Sequence, residues 1–314
     1  MKQRLVFAIL LIAAVFLPSY SQQPPFWFVM LADPQFGMYT ADRSFEQETA
    51  NYEFAVAAVN RWKPAFVIVL GDLVNKAGDP AQVKEFLRIS RTVDPSVPVY
   101  FVAGNHDAGN EPSPESLQAY RQAIGRDWYS FRAGPVYGIV LNSTLIKSPQ
   151  NAMHEYEAQD AWLKKELESA KASKQEHIII FQHHPLFLSS AQEADQYENI
   201  PGLRRRELID LFRKYGIRHV FAGHTHKNVL ARDKDLEVTA TGPVGKPLGK
   251  DGSGIRVATV TESGLSHRYH DFGMLPAVLR RVSNGSNSES RLHPGDNPDE
   301  FDQLLQVVQI DRLH

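Results

Sequence analysis

The sequence predicts a layered α/β fold, because short apolar runs alternate with helical patterns over most of the chain and only strands follow in the last part. The apolar runs have the length and bounding residues of buried strands. They lie at residues 26–31, 66–70, 99–102, 136–141, 177–181 and 219–221. Strand–helix alternation is typical of a sheet covered by helices. We therefore expect central sheets flanked by helices.

The helices between these strands have recognisable ends. Asp79–Pro80 and Ser113–Pro114 each combine a capping side chain with proline at the first helical position. Gly125 and Gly216 follow their helices as stops. Two later helices carry one apolar face each, formed by Trp162, Leu163 and Leu167 in one and by Leu208, Leu211 and Phe212 in the other.

After Gly223 the pattern predicts strands only. They lie at residues 228–233, 236–241, 255–261 and 265–270, and we expect them to be antiparallel and to complete a sheet. Farther on, a run rich in Ser and Asn is typical of a linker, and a short amphipathic helix is predicted after it, at residues 283–290 and 300–310. The predicted organisation is a signal peptide over 1–21, one domain over 22–274, and a linker with a C-terminal tail of unassigned role over 275–314.

The N-terminus has the layout of a secretory signal peptide. Lys2 and Arg4 form a positive start, the uncharged run Leu5–Leu17 follows, and Ser19 and Ser21 stand two apart, as a signal-peptidase site requires. An uncleaved membrane anchor is the alternative, but 13 apolar residues are too few to cross a hydrocarbon core of about 30 Å as a helix. We expect a secreted or periplasmic protein that has no membrane span after cleavage.

Composition limits the chemistry of this chain. Apolar residues make up 43% and charged residues 22% of its 314 residues, which is ordinary for a soluble globular protein. The net charge of −2 gives no sign of a nucleic-acid partner or of an anionic membrane surface. The sequence contains no cysteine, which excludes a thiolate metal site and a cysteine nucleophile. Any metal ion must therefore be bound by nitrogen and oxygen.

Polar side chains follow five of the predicted strands at the point where each strand ends. They occur in the segments LADPQ, VIVLGD, VAGNHD, IIIFQHH and VFAGHTH. Because ligands bind at the carboxyl ends of strands in open α/β sheets, we expect these side chains to converge at one edge of the sheet. Seven of them can bind a metal ion through nitrogen or oxygen, namely Asp33, Gln35, Asp72, Asn105, His183, His224 and His226.

The types of these seven side chains indicate a two-metal site. Two carboxylates, two amides and three imidazoles suit divalent Mn, Fe, Zn or Mg. Seven ligands exceed what one such ion takes. A carboxylate that bridges two ions about 3.5–4 Å apart accounts for the surplus and is typical of two-metal phosphoryl chemistry.

Each motif taken alone also has a structural interpretation. A single Gly–Asp after a strand is more often a turn, and GHTH alone could be a capped turn with solvated imidazoles. His184 follows a proposed ligand, and strand alternation would point it the opposite way. We therefore assign His184 a structural or supporting role. The order of all five motifs, each at a strand end, is what favours a metal site.

In this order the motifs D-x-[HQ], GD, GNHD, H-x-P and GHxH resemble the calcineurin-like metallophosphoesterase superfamily. The resemblance runs from Phe26 to Phe272. It is strongest for a branch of serine/threonine phosphatases with a D-P-Q first motif, through DPQFG at Asp33–Gly37, FQHHPLFL at Phe181–Leu188 and LEVTATGPVGKPLGKDGSGIRVATV. The resemblance implies a layered sandwich in which central mixed sheets are flanked by helices.

The resemblance also implies a role for each residue of the motifs. The first metal would have as ligands Asp33, Gln35, Asp72 and His226. The second would have Asp72, Asn105, His183 and His224. Asp72 would then bridge the two ions. His106 would act on the leaving-group oxygen as a catalytic residue, and Asp107 would orient the His106 imidazole.

Gln35 departs from the pattern of the wider superfamily, which has histidine there. An amide oxygen is a weaker and uncharged ligand, so we expect the first metal to bind less tightly or to be a harder ion. The branch that this chain resembles shares the glutamine, which argues against decay of the site.

The expected activity is metal-dependent hydrolysis of phosphate monoesters by attack of a metal-bound hydroxide, with phosphoproteins among the candidate substrates. Two alternatives stay open at this point. One is a phosphodiesterase that acts on nucleotides or phospholipid head groups. The other is a non-catalytic exported protein that binds metal or phosphate. The intact GNHD and GHTH motifs favour an enzyme, because a pure binding protein does not need His106.

Overall fold

The computed structural model describes residues 26–173, 175, 177–261 and 264–279. All of these belong to one compact unit. The predicted signal peptide, the Ser- and Asn-rich run at 283–290 and the C-terminal helix lie outside the described residues. The boundaries at 21 and 274 stay predictions. Just beyond 274 the chain still contacts the domain, because the indole Nε1 of Trp62 donates to the Pro276 carbonyl at 3.0 Å.

The described part contains eleven strands, seven α-helices and one short 3-10 helix at Phe272–Met274, and the strands and α-helices follow the predicted alternation. The strands are β1 Phe26–Leu31, β2 Val67–Val69, β3 Val99–Phe101, β4 Tyr129–Ala133, β5 Val136–Val140, β6 His177–Phe181, β7 His219–Ala222, β8 Val229–Asp233, β9 Leu236–Ala240, β10 Gly254–Thr261 and β11 Gly264–Asp271. The helices are α1 Glu46–Trp62, α2 Pro80–Ser90, α3 Asn105–Ala108, α4 Pro114–Ala123, α5 Ser143–Lys147, α6 Met153–Ala172 and α7 Gly202–Lys214. Among them there is no helix with the length and hydropathy that a bilayer crossing requires.

The strands form two mixed sheets, which confirms the predicted α/β sandwich. The first sheet has five strands in the order β11-β10-β1-β2-β3, and the second has six in the order β4-β5-β6-β7-β9-β8. Strands β1, β2 and β3 are parallel, as are β5, β6, β7 and β9. Antiparallel strands occupy the remaining positions, at β10 and β11 in the first sheet and at β4 and β8 in the second.

Two expectations about the strands were wrong. The last four strands do not complete one sheet, because β8 and β9 join the second sheet whereas β10 and β11 join the first. Nor are they all antiparallel: β9 is parallel to β7, since β8 takes the outer edge and the chain returns beside β7. The structure also adds β4, which the sequence did not predict because Ser130 and Arg132 interrupt its apolar pattern.

The caps predicted from sequence are present. The Asp79 side chain accepts hydrogen bonds from the backbone N–H groups of Ala81 and Gln82, at 3.0 and 3.2 Å, and Pro80 begins α2. Ser113 caps α4 in the same way. These bonds satisfy donors that a helix leaves free at its first turn, so they fix where both helices begin.

Strand β1 of the first sheet is covered on both faces. In β1, Phe28 and Met30 pack into the space between the two sheets, whereas Val29 and Leu31 pack under α1 and α2. A strand that is buried on both faces is apolar throughout rather than alternating. This explains why the run 26–31 has no polar residue.

Aromatic rings fill the space between the sheets. The ring of Phe66 stacks on Phe28 of the first sheet with centroids 4.6 Å apart. It meets the rings of Phe131 and Phe181 of the second sheet edge-on, at 5.1 and 6.4 Å. Phe66 is fully buried. It therefore ties the two sheets together through contacts on both sides.

Replacement of Phe66 by alanine is expected to lower the free energy of unfolding by about 3–5 kcal/mol, because it leaves a cavity between the sheets. Denaturant titration of the metal-replete protein measures this change. Leu203→Ala is the control, because Leu203 is 60% exposed on α7 and should change stability by less than about 0.5 kcal/mol. Equal effects of the two substitutions would contradict the central place of Phe66.

Candidate metal centre

The proposed ligands meet where the two sheets adjoin. Those from the LADPQ, VIVLGD and VAGNHD segments follow β1, β2 and β3 of the first sheet, and those from IIIFQHH and VFAGHTH follow β6 and β7 of the second. The expectation that one edge of a single sheet carries all of them was therefore wrong. All five strands direct their carboxyl ends to the same side of the sandwich, so the loops of the two sheets come into contact there.

Two groups of buried side chains could each hold a metal ion. One consists of Asp72, His183 and His224, and the other of Asp33, Asp72 and His226. Within each group the ligand atoms lie within 4.8 Å of one another. Asp72 is common to both groups, which is the position that a bridging carboxylate requires.

Backbone strain is concentrated at this site. Five of the seven proposed ligands have a positive φ, at +47° for Asp33, +39° for Gln35, +49° for Asp72, +70° for His224 and +53° for His226. For residues other than glycine this left-handed conformation costs of the order of 1–3 kcal/mol each. Such strain persists only where the surrounding structure enforces it. The left-handed conformation turns the backbone of these short loops, so that neighbouring side chains point towards the same site.

Each proposed histidine ligand donates one ring N–H to a backbone carbonyl. His183 Nδ1 lies 2.8 Å from the Leu70 carbonyl, and His226 Nδ1 lies 2.6 Å from that of Lys246. His224 uses the other nitrogen, Nε2, at 3.2 Å from the carbonyl of Tyr197. A carbonyl can only accept, so the other nitrogen of each ring is the one that can face a metal ion. For His183 and His224 these two atoms, Nε2 and Nδ1, lie 3.2 Å apart.

The two amide side chains are oriented in the same manner. Gln35 Nε2 donates to Asn75 Oδ1 at 3.1 Å, which leaves Gln35 Oε1 buried with no hydrogen-bond partner. Asn105 Nδ2 donates to the Tyr197 hydroxyl at 3.1 Å, while its Oδ1 lies 3.1 Å from His183 Nε2. A buried oxygen without a donor is costly, and a cation at this point would satisfy Gln35 Oε1. The donor set therefore fits metal ions.

Glycines beside the ligands leave the space that the ligands occupy. A Cβ atom at Gly104 would lie 2.2 Å from the backbone nitrogen and Oδ1 of Asp72, and one at Gly71 would lie 2.5 Å from His183 Nδ1. Gly71 also has a φ of +88°. Any larger residue at either position would displace a ligand.

Electrostatics couple the buried carboxylates to the imidazoles. Burial alone would raise the pKa of Asp72, but the neighbouring His183 imidazole holds that pKa well below its usual range. Burial would lower the pKa of His183, but the charges of Asp72 and Asp33 raise it to about 9. Burial raises the pKa of Asp33. The buried Asp72 carboxylate is thus stabilised by neighbouring positive charge, which a divalent cation at this position would also supply.

The predicted role of Asp107 was wrong in one respect, because it does not contact the His106 imidazole. Its carboxylate accepts three backbone N–H bonds, from Leu73 at 2.9 Å, Val74 at 3.2 Å and Gly104 at 2.8 Å. The reason is that α3 begins at Asn105, so residues 106 and 107 point in different directions around the helix. Asp107 instead ties the loop after β2 to the start of α3.

The His106 imidazole is oriented by Asn75. His106 Nδ1 lies 2.7 Å from the Asn75 carbonyl, and its backbone N–H donates to Asp72 Oδ1 at 2.9 Å. Since Nδ1 donates to a carbonyl, Nε2 is the ring nitrogen left for other chemistry. His106 is therefore fixed beside the proposed bridging ligand and is half-buried.

His184 lies next to His183 and does not point away from it. The two ring centroids are 5.2 Å apart, because β6 ends at Phe181 and strand alternation does not extend to these residues. Ser143 Oγ accepts the backbone N–H groups of both histidines and lies 3.0 Å from His184 Nδ1. Among the described residues, His184 belongs to neither metal-capable group, and its structural or supporting role stays a prediction.

Sequence reasoning missed two residues of the site. Asn75 follows Asp72 by three positions in the segment GDLVN. A polar residue so soon after a proposed ligand was the signal that could have identified Asn75 as part of the site. Tyr197 lies in the loop between β6 and α7, where its backbone carbonyl and hydroxyl contact His224 and Asn105. No periodic pattern marks that loop.

Comparison with known proteins agrees with this geometry. The model of the calcineurin-like phosphoesterase family matches residues 26–228. The serine/threonine-protein phosphatase CPPED1 of Danio rerio is 36% identical over 266 residues, which cover 80% of this chain and 86% of that protein. Its Homo sapiens counterpart is 37% identical over 267 residues, with 80% and 85% covered.

Solved structures share the fold at low identity. A dimetal phosphatase from Danio rerio has a TM-score of 0.59 at 18% identity, over 80% of this chain and 97% of that chain. Purple acid phosphatase PPD1 from yellow lupin seeds has a TM-score of 0.57 at 19% identity, over 80% and 52% of the two chains. The predicted resemblance is thus confirmed: the chain belongs to the calcineurin-like phosphoesterase family and is a metal-dependent phosphoesterase.

Proposed function

We propose that this enzyme hydrolyses phosphate monoesters with two divalent cations bound at the ends of the strands. The observation that carries the proposal is the shared position of Asp72 in both metal-capable groups. The first ion would have as ligands Asp33, Gln35, Asp72 and His226. The second would have Asp72, Asn105, His183 and His224. When bound, such a pair of ions lowers the pKa of water and neutralises charge on the phosphoryl oxygens.

The protein itself contributes two things to this reaction: it orients the metal ligands, and it supplies a proton donor for the leaving group. Backbone carbonyls and the Asn75 side chain orient the ligands, so little reorganisation is required when substrate binds. His106 is held by the Asn75 carbonyl with Nε2 free. In its protonated form it can deliver a proton from Nε2 to the departing alkoxide.

Phosphoserine and phosphothreonine peptides are the first substrates to test. The support is that the relatives with 36–38% identity are named serine/threonine-protein phosphatases. A hydrolysis screen over phosphopeptides, small monoesters and diesters, with Mn, Fe, Zn and Mg added in turn, tests the proposal. Preference for diesters over all monoesters would contradict the monoesterase assignment.

We also propose that the chain is exported. The support is the positive start at Lys2 and Arg4, the uncharged run Leu5–Leu17 and the small residues Ser19 and Ser21. N-terminal sequencing of the protein from the extracellular or periplasmic fraction is expected to begin at Gln22. A full-length chain that stays in the membrane fraction would contradict cleavage.

Removal of metal is expected to abolish hydrolysis, and a divalent ion is expected to restore it. The physical reason is that the described site offers seven nitrogen and oxygen ligands, and that cysteine is absent from the sequence as a nucleophile. The measurement is turnover after exhaustive chelation, with metal content checked by elemental analysis. Full turnover without bound metal would contradict the two-cation proposal.

Asp72→Asn is expected to reduce activity more than Gln35→Ala, because Asp72 would touch both ions and Gln35 only one. We expect a loss of at least about 100-fold for Asp72→Asn and about 10-fold for Gln35→Ala, since even outer partners of metal ligands are worth 10–100-fold. The measurements are metal stoichiometry and turnover. Asp210→Asn, an exposed aspartate on α7, is the matched control. Two bound metals and normal turnover in Asp72→Asn would refute the bridge.

His106→Ala is expected to lower kcat roughly 10²–10⁴-fold for alkyl phosphates, the usual worth of a positioned acid, with metal content unchanged. The loss should be smaller for nitrophenyl phosphate, whose leaving group needs no proton. The comparison is made on one folded, metal-replete variant, with His154→Ala on the exposed face of α6 as the control. Equal losses on both esters would exclude the proton-donor role.

A further inference from the structure

The loop between β6 and α7 is firmly anchored although it contains no regular structure. The carboxylate of Glu193 accepts hydrogen bonds from the backbone N–H groups of Leu188, at 2.9 Å, and of Ser189, at 2.8 Å. It also accepts from Asn199 Nδ2 at 2.7 Å. The Lys147 ammonium donates to the Asn199 carbonyl at 2.7 Å. Charged and amide groups thus fix both sides of this loop.

Tyr197 lies in this anchored loop and touches two proposed ligands of the second ion. Its backbone carbonyl accepts from His224 Nε2 at 3.2 Å, and its ring centroid lies 5.0 Å from that of His224. Its hydroxyl accepts from Asn105 Nδ2 at 3.1 Å and donates to Asn110 Oδ1 at 3.3 Å. The backbone and the hydroxyl are therefore both engaged in fixing the position of this residue.

The ring of Tyr197 is nevertheless exposed. The residue is 54% accessible, while His224 and Asn105 beneath it are 7% and 2% accessible. Since the hydroxyl already makes two hydrogen bonds, the ring is the part of this side chain that remains to contact a ligand. An aromatic ring held rigidly beside a buried polar centre is suited to contact a ligand and loses little conformational entropy on doing so.

We propose that Tyr197 forms a leaving-group subsite next to the second metal position, which favours phosphate esters that carry an aromatic or flat apolar group beside the phosphate, including phosphoserine and phosphothreonine peptides with such a group next to the phosphorylated residue. This inference rests on the proposed function, because it places the phosphoryl group at the metal centre. The alcohol then extends over Tyr197. Alkyl esters of one or two carbons and inorganic phosphate carry no flat group to lie against the ring.

The test is calorimetric binding of three non-hydrolysed ligands to the full-length, metal-replete protein: phenylphosphonate, methylphosphonate and inorganic phosphate. We expect phenylphosphonate to bind about ten-fold more tightly than methylphosphonate, as one ring–ring contact implies. Tyr197→Ala should remove this preference, measured as the ratio of the phenylphosphonate and methylphosphonate affinities, so that any effect transmitted through Asn105 to all three ligands cancels. Tyr197→Phe should keep the preference, because it keeps the ring.

Two further variants keep the test interpretable. Tyr197→Leu replaces Tyr197→Ala if the alanine variant loses metal or fails to fold, since it fills more of the space while removing the aromatic face. Tyr215→Leu is the control, because Tyr215 follows α7 at the end of the sandwich opposite the metal centre.

The possible outcomes separate this inference from the proposed function. The inference is overturned by a wild-type protein without the phenyl preference, by a preference that survives Tyr197→Ala, or by equal weakening of all three ligands, which would mean that Tyr197 acts only through Asn105. It is also overturned if Tyr197→Phe loses the preference. A preference that depends on Tyr197 in a protein that hydrolyses no monoester would support the subsite and refute the proposed function.

Discussion

Two hydrogen bonds across the seam between the sheets determine the geometry of the metal centre. The carboxylate of Asp33, after β1, accepts the backbone N–H of His224, after β7, at 3.0 and 3.1 Å. His183, after β6, donates from Nδ1 to the carbonyl of Leu70, at the end of β2, at 2.8 Å. Each bond joins the first sheet to the second. The distance between the two groups of ligands is therefore fixed by how the sheets pack, and the aromatic layer around Phe66 supports that packing.

The strained loops are stabilised by backbone bonds within the first sheet. Asp33 N–H donates to the Gly71 carbonyl at 3.2 Å, and Gln35 N–H donates to the Asp72 carbonyl at 2.8 Å. The loops after β1 and β2 thus run side by side in the left-handed conformation. Asp107 adds three bonds from its carboxylate to the same region. The cost of strain at the ligands is offset by this dense bonding around them, and the site is preorganised as a result.

The sequence predicted the strand ends and the ligands because both have local signals. An apolar run of about five residues followed by Gly–Asp or Gly–His can be recognised without knowledge of the fold. The division of strands between two sheets could not be predicted, since β9 and β10 are separated by a loop that crosses the seam, and pairing depends on distant partners. The contacts of Asp107 could not be predicted, because they depend on the residue at which α3 begins. A shift of that start by one residue would turn the carboxylate in another direction. Tyr197 escaped notice because an irregular loop has no period.

Asn75 binds two functional groups at once, and this has a consequence for how the site can change during evolution. Its side chain accepts from Gln35 and its backbone carbonyl accepts from His106. The Asn75 amide is itself held by Asp42, whose Oδ1 accepts from Asn75 Nδ2 at 2.7 Å. The amide nitrogen of Gln35 reaches the side-chain oxygen of Asn75. A histidine at position 35 has a shorter side chain with a different shape, so its second ring nitrogen would not lie at the same point. Replacement of Gln35 by histidine would therefore break the bond to Asn75, and the contacts of this chain couple position 35 to positions 75 and 42.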